Sequence, residues 1–341
     1  MKAVANAPRA LLQMLWRFAL LNAFIVTSFA FAATPYQHFW AGNATDVTLP
    51  PPQAPSLVLM GGSTDVDAAF EWMIQKAGGG NFVVIRAEGT DAYNPYIFAM
   101  GKVTSVETLI IPSREAANDP FVVSRIRGAE ALFIAGGDQS DYVNYWSGTA
   151  VDAAIVELSA KNVPIGGTSA GLAIMGQYTF AALNGPINSA EALVNPFHEV
   201  LTLSERFLSL PYLNNVITDA RLGVSDRMGR LVSFLARIVG NNWSSIARGI
   251  GIDEETALLI DNGKATKVGK GSVYFLQTIN FPQVFEPEKP LTYRNIGVQR
   301  LTGTGSFDLI NWLGHDGTTV NYSISAINGV LSSTQVDGAI Y

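Results

Sequence analysis

Apolar residues fall along this chain in two rhythms. Short continuous runs at Ser56–Met60, Asn81–Ala87, Val106–Ile111, Ala131–Ala135 and Val163–Gly166 have the length and bounding turn residues of strands buried on both faces. Between them lie stretches with helical spacing, at Asp65–Ala77, Ala116–Arg127 and Thr149–Lys161. In the last of these, Val151, Ala154, Ile155 and Leu158 mark one buried stripe at i, i+3, i+4 and i+7. Strand and helix in alternation predict right-handed βαβ crossovers, and so an α/β fold built on a doubly wound, mostly parallel sheet. A further helix is expected to start at the N-cap pair Ser225-Asp226 and to run through Leu231, Phe234, Leu235 and Ile238. Beyond Gly249 the pattern turns to strands, at Thr256–Ile260, Ser272–Leu276 and the alternating Val320-Asn321-Tyr322-Ser323-Ile324. The expectation is a main domain over 56–285 followed by a loosely attached, β-rich C-terminal extension over 286–341.

Residues 1–32 carry a different pattern. Lys2, Arg9 and Arg17 precede an uncharged run from Phe18 to Phe29, and Ala30-Phe31-Ala32 offers a small-x-small site before Ala33. This predicts a cleaved secretory signal peptide, a Pro-rich linker over 33–55, and a secreted or periplasmic location. The uncharged run is too short to span a bilayer comfortably, and no later segment reads as transmembrane. The chain of 341 residues has no cysteine and a net charge of −6. It is long enough to bury a core without disulfides, and its charge, more negative still once the three leader cations are removed, argues against a nucleic-acid partner.

Three Gly-rich turns follow predicted strands: Gly61-Gly62-Ser63, Gly136-Gly137-Asp138-Gln139 and Gly166-Gly167-Thr168-Ser169. In a doubly wound sheet such turns converge on one rim and build a ligand site. The third, continuing into Ala170-Gly171, has the form of a nucleophile elbow, in which a strand turns sharply into a helix and exposes a serine beside a free backbone N–H. Ser169 is therefore the candidate nucleophile. A serine needs a base, and the chain holds three histidines, His38, His198 and His315. His38 and His315 read as surface residues, which leaves His198. Arg227 and Arg230, three apart at a helix start, can point to one side, where they require a carboxylate or an anionic substrate. No metal-ligand spacing, phosphate loop or dinucleotide fingerprint is present, so no cofactor and no metal are expected. Without cysteine, a thiol elbow of the amidotransferase kind is excluded.

The elbow stands in an ordered set of motifs: 131–139 (ALFIAGGDQ), Ser189-Ala190-Glu191-Ala192-Leu193, Val216-Ile217-Thr218-Asp219, Arg227-Met228-Gly229-Arg230-Leu231 and Gly251-Ile252-Asp253-Glu254-Glu255-Thr256-Ala257. Over most of 55–280 this set resembles the cyanophycinase and dipeptidase E serine peptidases of family S51, relatives of the class I glutamine amidotransferase fold. The resemblance implies acyl transfer by Ser169 with the amides of Gly137 and Ala170 as oxyanion donors. It places Gln139 and Asp219 in the substrate pocket, and makes Arg227 and Arg230 the grip on the aspartate backbone of a peptide or polymer substrate. Cyanophycin is polyaspartate with arginine on each side-chain carboxylate, so Asp138 or Glu191 would face the arginyl group. Glu191, or Asp219 in its place, would also be the acid that orients a histidine. Relatives form dimers, which makes a homodimer the expectation. At one position the chain departs from the family: where cyanophycinases carry Asp-Gln-His-Phe, it has Asp219-Ala220-Arg221-Leu222. A guanidinium has no acceptor for a serine proton. Three readings stay open: His198 as an alternative base, weak turnover through the oxyanion site and water, or a catalytically silent binding protein.

Overall fold

Strands β1 to β6 are Gln37–Gly42, Ser56–Met60, Asn81–Arg86, Ser105–Ile110, Ala131–Ile134 and Ile165–Thr168 in the computed structural model, which describes residues 33–43, 45, 47, 49, 50, 52–315 and 319–341. The expected signal peptide lies outside the described residues. Five of these strands run parallel in the spatial order β4-β3-β5-β6-β2. Every residue of β2, β4, β5 and β6 is buried. The cause is cover on both faces. Phe70, Met73 and Ile74 of the helix Asp67–Ala77 pack with Val58, Phe82 and Phe133 on one side. Val122 and Ile126 of Pro120–Arg127, with Ile155 and Leu158 of Ala150–Ala160, pack with Val83, Ile85 and Leu132 on the other. Doubly covered strands lose the alternation of apolar and polar positions, which is why these read as unbroken runs.

The helix expected over Ala116–Arg127 is broken. Ala116–Asn118 form a single 3₁₀ turn, Asp119 is extended at φ −67°, ψ 128°, and its carboxylate caps the following helix by accepting from Phe121 N at 2.8 Å. Pro120 disfavours helical backbone in the residue before it and fits the first helical position, so the break is local chemistry. The stretch expected to be a linker also holds structure: β1 pairs antiparallel with β4 along its whole length.

The later strands are β7 (Tyr178–Phe180), β8 (Leu203–Glu205), β9 (Val216–Ala220), β10 (Ala247–Ile252), β11 (Thr256–Asp261), β12 (Lys264–Gly269), β13 (Val273–Thr278), β14 (Tyr293–Leu301), β15 (Ser306–Asp308), β16 (Leu313–His315), β17 (Thr319–Ile327) and β18 (Val330–Ser333). They divide between two sheets. β11, β12, β15 and β16 extend the first sheet beyond β2, and the others form a second sheet in the order β18-β17-β14-β13-β10-β9-β7-β8. Helix Met228–Gly240 buries Leu231, Phe234, Leu235 and Ile238 against Tyr178, Phe180, Ile217 and Leu276 of that second sheet. The C-terminal extension is not loosely attached, as the sequence suggested. β14 pairs with β13, and β17 pairs with β14 from Leu301↔Thr319 to Tyr293↔Ala326, so the extension is structural sheet within the compact unit Pro35–Tyr341.

The two sheets meet at the ends of β2 and β9. Arg221 N donates to Gly61 O at 3.2 Å, Gly61 N to Thr256 O at 2.9 Å, and Leu222 N to Ile252 O at 3.1 Å.

Candidate active site

The elbow takes its shape from glycine. Ser169 follows β6 at φ +52°, ψ −116° and leads into the short helix Ala170–Ala173. Such backbone costs about 1–3 kcal/mol for a non-glycine residue and persists only where its surroundings enforce it. Here Ser169 N donates to Met60 O at 3.1 Å, and Thr218 Oγ1 ties β9 to Leu172 O at 2.7 Å. A Cβ on Gly171 would stand 2.1 Å from Ile134 O, so only glycine lets the helix approach β5. The other two turns do converge on Ser169: a Cβ on Gly62, whose φ is +90°, would lie 3.0 Å from Ser169 Cβ, and one on Gly136 would lie 3.5 Å from it.

Ser169 opens on a cavity of about 410 Å³ that Gly137, Gln139, Ala170, Asp219, Arg221, Arg227 and Arg230 also line. Its hydroxyl has no hydrogen-bond partner among the described residues, and neither amide of Gly137 or Ala170 donates to a protein acceptor there. Two N–H groups and an alcohol are thus left for a ligand. Gln139 is the first residue of the helix Gln139–Trp146, which Asp138 caps by accepting from Ser140 N at 2.8 Å.

The two arginines, paired in the sequence reading, have different roles. Arg230 is buried and spends its guanidinium on Asp219, with Nε 2.7 Å from Oδ2 and Nη2 2.5 Å from Oδ1, while Nη1 reaches Ile187 O at 3.3 Å. It also lies over the rings of Phe180 and Phe234, at 5.3 and 5.8 Å. This carboxylate cancels the charge of Arg230, so the expected substrate grip by Arg230 is not what the geometry offers. Asp219 lines the cavity, but its charge is balanced within the same pair. Arg227 differs. Its Nη1 donates to Ala220 O at 3.0 Å and stands 3.9 Å from Asp219, and the side chain keeps 26% of its surface exposed. Burial first, then repulsion by Arg230, lowers its pKa from the ordinary arginine value and outweighs the attraction of Asp219 and Glu254.

Glu191 is not at the site. It is exposed and closes a capping box with Asn188, its Oε2 accepting from Asn188 N at 3.1 Å and its own N donating to Asn188 Oδ1 at 2.9 Å. The spacing Asn-x-x-Glu is itself the sequence signature of that cap. The Ser225-Asp226 cap is also corrected: helix Met228–Gly240 starts after Arg227, and Asp226 sits at φ +47°. His198 does not line the cavity. It belongs to the loop after Asn195, where its Nδ1 accepts from Val200 N at 3.3 Å. His38 pairs with buried Glu107 at 3.0 Å and His315 lies in β16, so none of the three histidines borders Ser169.

Arg221, which the resemblance sets where a histidine is expected, does border the cavity. Its φ is +53°, and its Nε donates to Glu254 Oε1 at 2.5 Å. Glu254 was missed as a site residue in the sequence, although its motif was visible there. The structure separates the roles of the first two of the three consecutive acids in that motif. Asp253 knots the loop, accepting from Gly223 N and Ser272 N at 2.9 Å each, while Glu254 turns towards the side chain at 221.

Residues 87–268, more than half of the chain, match the model of peptidase family S51, and the chain belongs to that family. A cyanophycinase of Nostoc sp. is 28% identical over 219 residues, 62% of this chain and 68% of the relative. A cyanophycinase of Geminocystis herdmanii is 28% identical over 179 residues, 52% of this chain and 60% of the relative. Among solved structures, a peptidase from an acI-B1 Actinobacterium aligns over 75% of this chain and 97% of its own, at 18% identity and a TM-score of 0.49.

Proposed function

We propose that the chain is an exported, cyanophycinase-like serine hydrolase that cleaves β-aspartyl-arginine or related aspartyl peptide bonds by acyl transfer through Ser169. The observation that carries this reading is the backbone of Ser169, held at φ +52° beside two uncommitted amides. Ser169 Oγ attacks the carbonyl carbon while its proton passes to cavity water. The oxyanion accepts from the N–H groups of Gly137 and Ala170, the amine leaves with a proton taken from water, and a second water hydrolyses the ester. Arg227 binds a substrate carboxylate. With no imidazole at the cavity, turnover is slow: loss of a triad base costs on the order of a millionfold in kcat, while about 10³–10⁴-fold acceleration over water survives from the oxyanion site and binding. The cyanophycinase relatives support the substrate class, and the leader-like residues 1–32 support export, which N-terminal sequencing of the protein from its host checks.

One observation favours a second reading, a silent binding protein. The ion pair of Arg221 with Glu254 fills the place a histidine and its orienting acid would take. Release of β-aspartyl-arginine from purified polymer separates the two. Turnover by the wild type that disappears in Ser169→Ala supports the hydrolase. Turnover seen only in Arg221→His, whose imidazole Glu254 can orient, supports the silenced site. Failure of a fluorophosphonate to label Ser169 in either form sinks the elbow reading.

A further inference from the structure

The C-terminal extension lies beyond the 87–268 family match, and its Tyr341 bonds to the residues on either side of Arg227. We propose that Tyr341 is a positioning residue for Arg227, bracketing the backbone that aims this cation into the cavity. That Arg227 grips a substrate carboxylate rests on the function proposed above; that Tyr341 holds Arg227 does not.

The Tyr341 hydroxyl accepts from Met228 N at 3.0 Å and donates to Asp226 Oδ1 at 2.8 Å. Those are the two neighbours of Arg227. Met228 N is the first amide of helix Met228–Gly240, a group no intrahelical bond can satisfy, and the residue at the N-cap position, Arg227, makes no side-chain cap. Tyr341 supplies the acceptor that a capping side chain normally provides. Its other bond restrains Asp226, whose φ of +47° is unfavourable for a residue with a Cβ.

The hydroxyl is itself well anchored. The Tyr341 ring meets Tyr274 edge-on with centroids 6.0 Å apart, and Tyr322 Oη donates to Ile340 O at 2.9 Å, so the second sheet fixes the segment that ends in the bracket. Burial raises the phenol above its ordinary pKa; the bond from Met228 N opposes this and the Asp226 carboxylate adds to it, so the hydroxyl stays a donor. Among the described residues, Arg227 is tied to protein on the cavity side only by the single bond to Ala220 O and the loose 3.9 Å approach to Asp219. Its aim therefore depends on its backbone.

Tyr341→Phe removes both hydrogen bonds and keeps the ring. In the full chain carrying Ser169→Ala, calorimetry with β-aspartyl-arginine is expected to show binding weakened about tenfold or more by Arg227→Ala and about three- to tenfold by Tyr341→Phe, with the double variant no weaker than Arg227→Ala alone. Undiminished binding in Tyr341→Phe where Arg227→Ala weakens it overturns the proposal, as does an additive double variant. Equal binding by Arg227→Ala and its parent instead overturns the substrate reading. A second measurement needs no substrate: the rate at which phenylglyoxal modifies Arg227, read by peptide mass spectrometry, is expected to rise severalfold in Tyr341→Phe. An unchanged rate overturns the bracket whatever the substrate proves to be.

Discussion

Asp219→Ala tests how the molecule keeps a cation beneath its cavity. Asp219 and Arg230 are 2% and 5% exposed and joined by two hydrogen bonds, so removal of the carboxylate leaves a buried, uncompensated guanidinium. Breaking a buried pair in this way costs about 3–5 kcal/mol, against roughly 0–1 kcal/mol for an exposed pair. Unfolding entropy of roughly 2.1 cal/mol/K per residue, applied to the unit Pro35–Tyr341, converts this into a fall in Tm of about 5–8 °C. Differential scanning calorimetry measures it directly. Replacing both partners, Asp219→Leu with Arg230→Met, is expected to recover most of the loss, because neither charge is then stranded. A Tm for Asp219→Ala within a degree of the wild type refutes the argument, and would mean that Arg230 finds water or another anion in the cavity.

Two further outcomes follow from the geometry. Gly62→Ala places a methyl 3.0 Å from Ser169 Cβ at a φ of +90°, which is expected to cost about 1–3 kcal/mol of stability and to slow fluorophosphonate labelling of Ser169; unchanged labelling refutes the close approach. For Glu107, burial alone would raise the pKa, but hydrogen bonds from His38 and Arg125 outweigh it and hold the carboxyl below its ordinary 4.5. A depressed carboxyl stabilises fully above its unfolded pKa and loses that contribution as pH falls through the folded value. Glu107→Gln should therefore lose stability at neutral pH and show a smaller loss than the wild type between about pH 5 and pH 2, by acid titration of Tm.

Much of the site was legible because its chemistry is local. The elbow follows from glycine-bounded turns after strands, whereas the amides of Gly137 and Ala170 and the side chain of Gln139 come from the resemblance to family S51; all of them line one cavity. Glu191 and His198 were misplaced because a carboxylate or an imidazole can serve in many places, and nothing in a linear reading says which way a loop faces. Arg227 and Arg230 share a helix face by spacing, yet only Arg227 retains exposed surface; the difference lies in a partner, Asp219, from another element.

The chain's own order of residues determined the buried parallel strands and the elbow at Ser169, since each depends on neighbours a few positions away. Tertiary structure alone decided that Glu254 holds Arg221, that Asp219 neutralises Arg230, and that Tyr341 bonds on both sides of Arg227. Those pairings join residues 11 to 115 positions apart. Charges and hydrogen-bond groups carry no periodic signal of their partners, so the packing of two sheets has to bring them together before their roles exist.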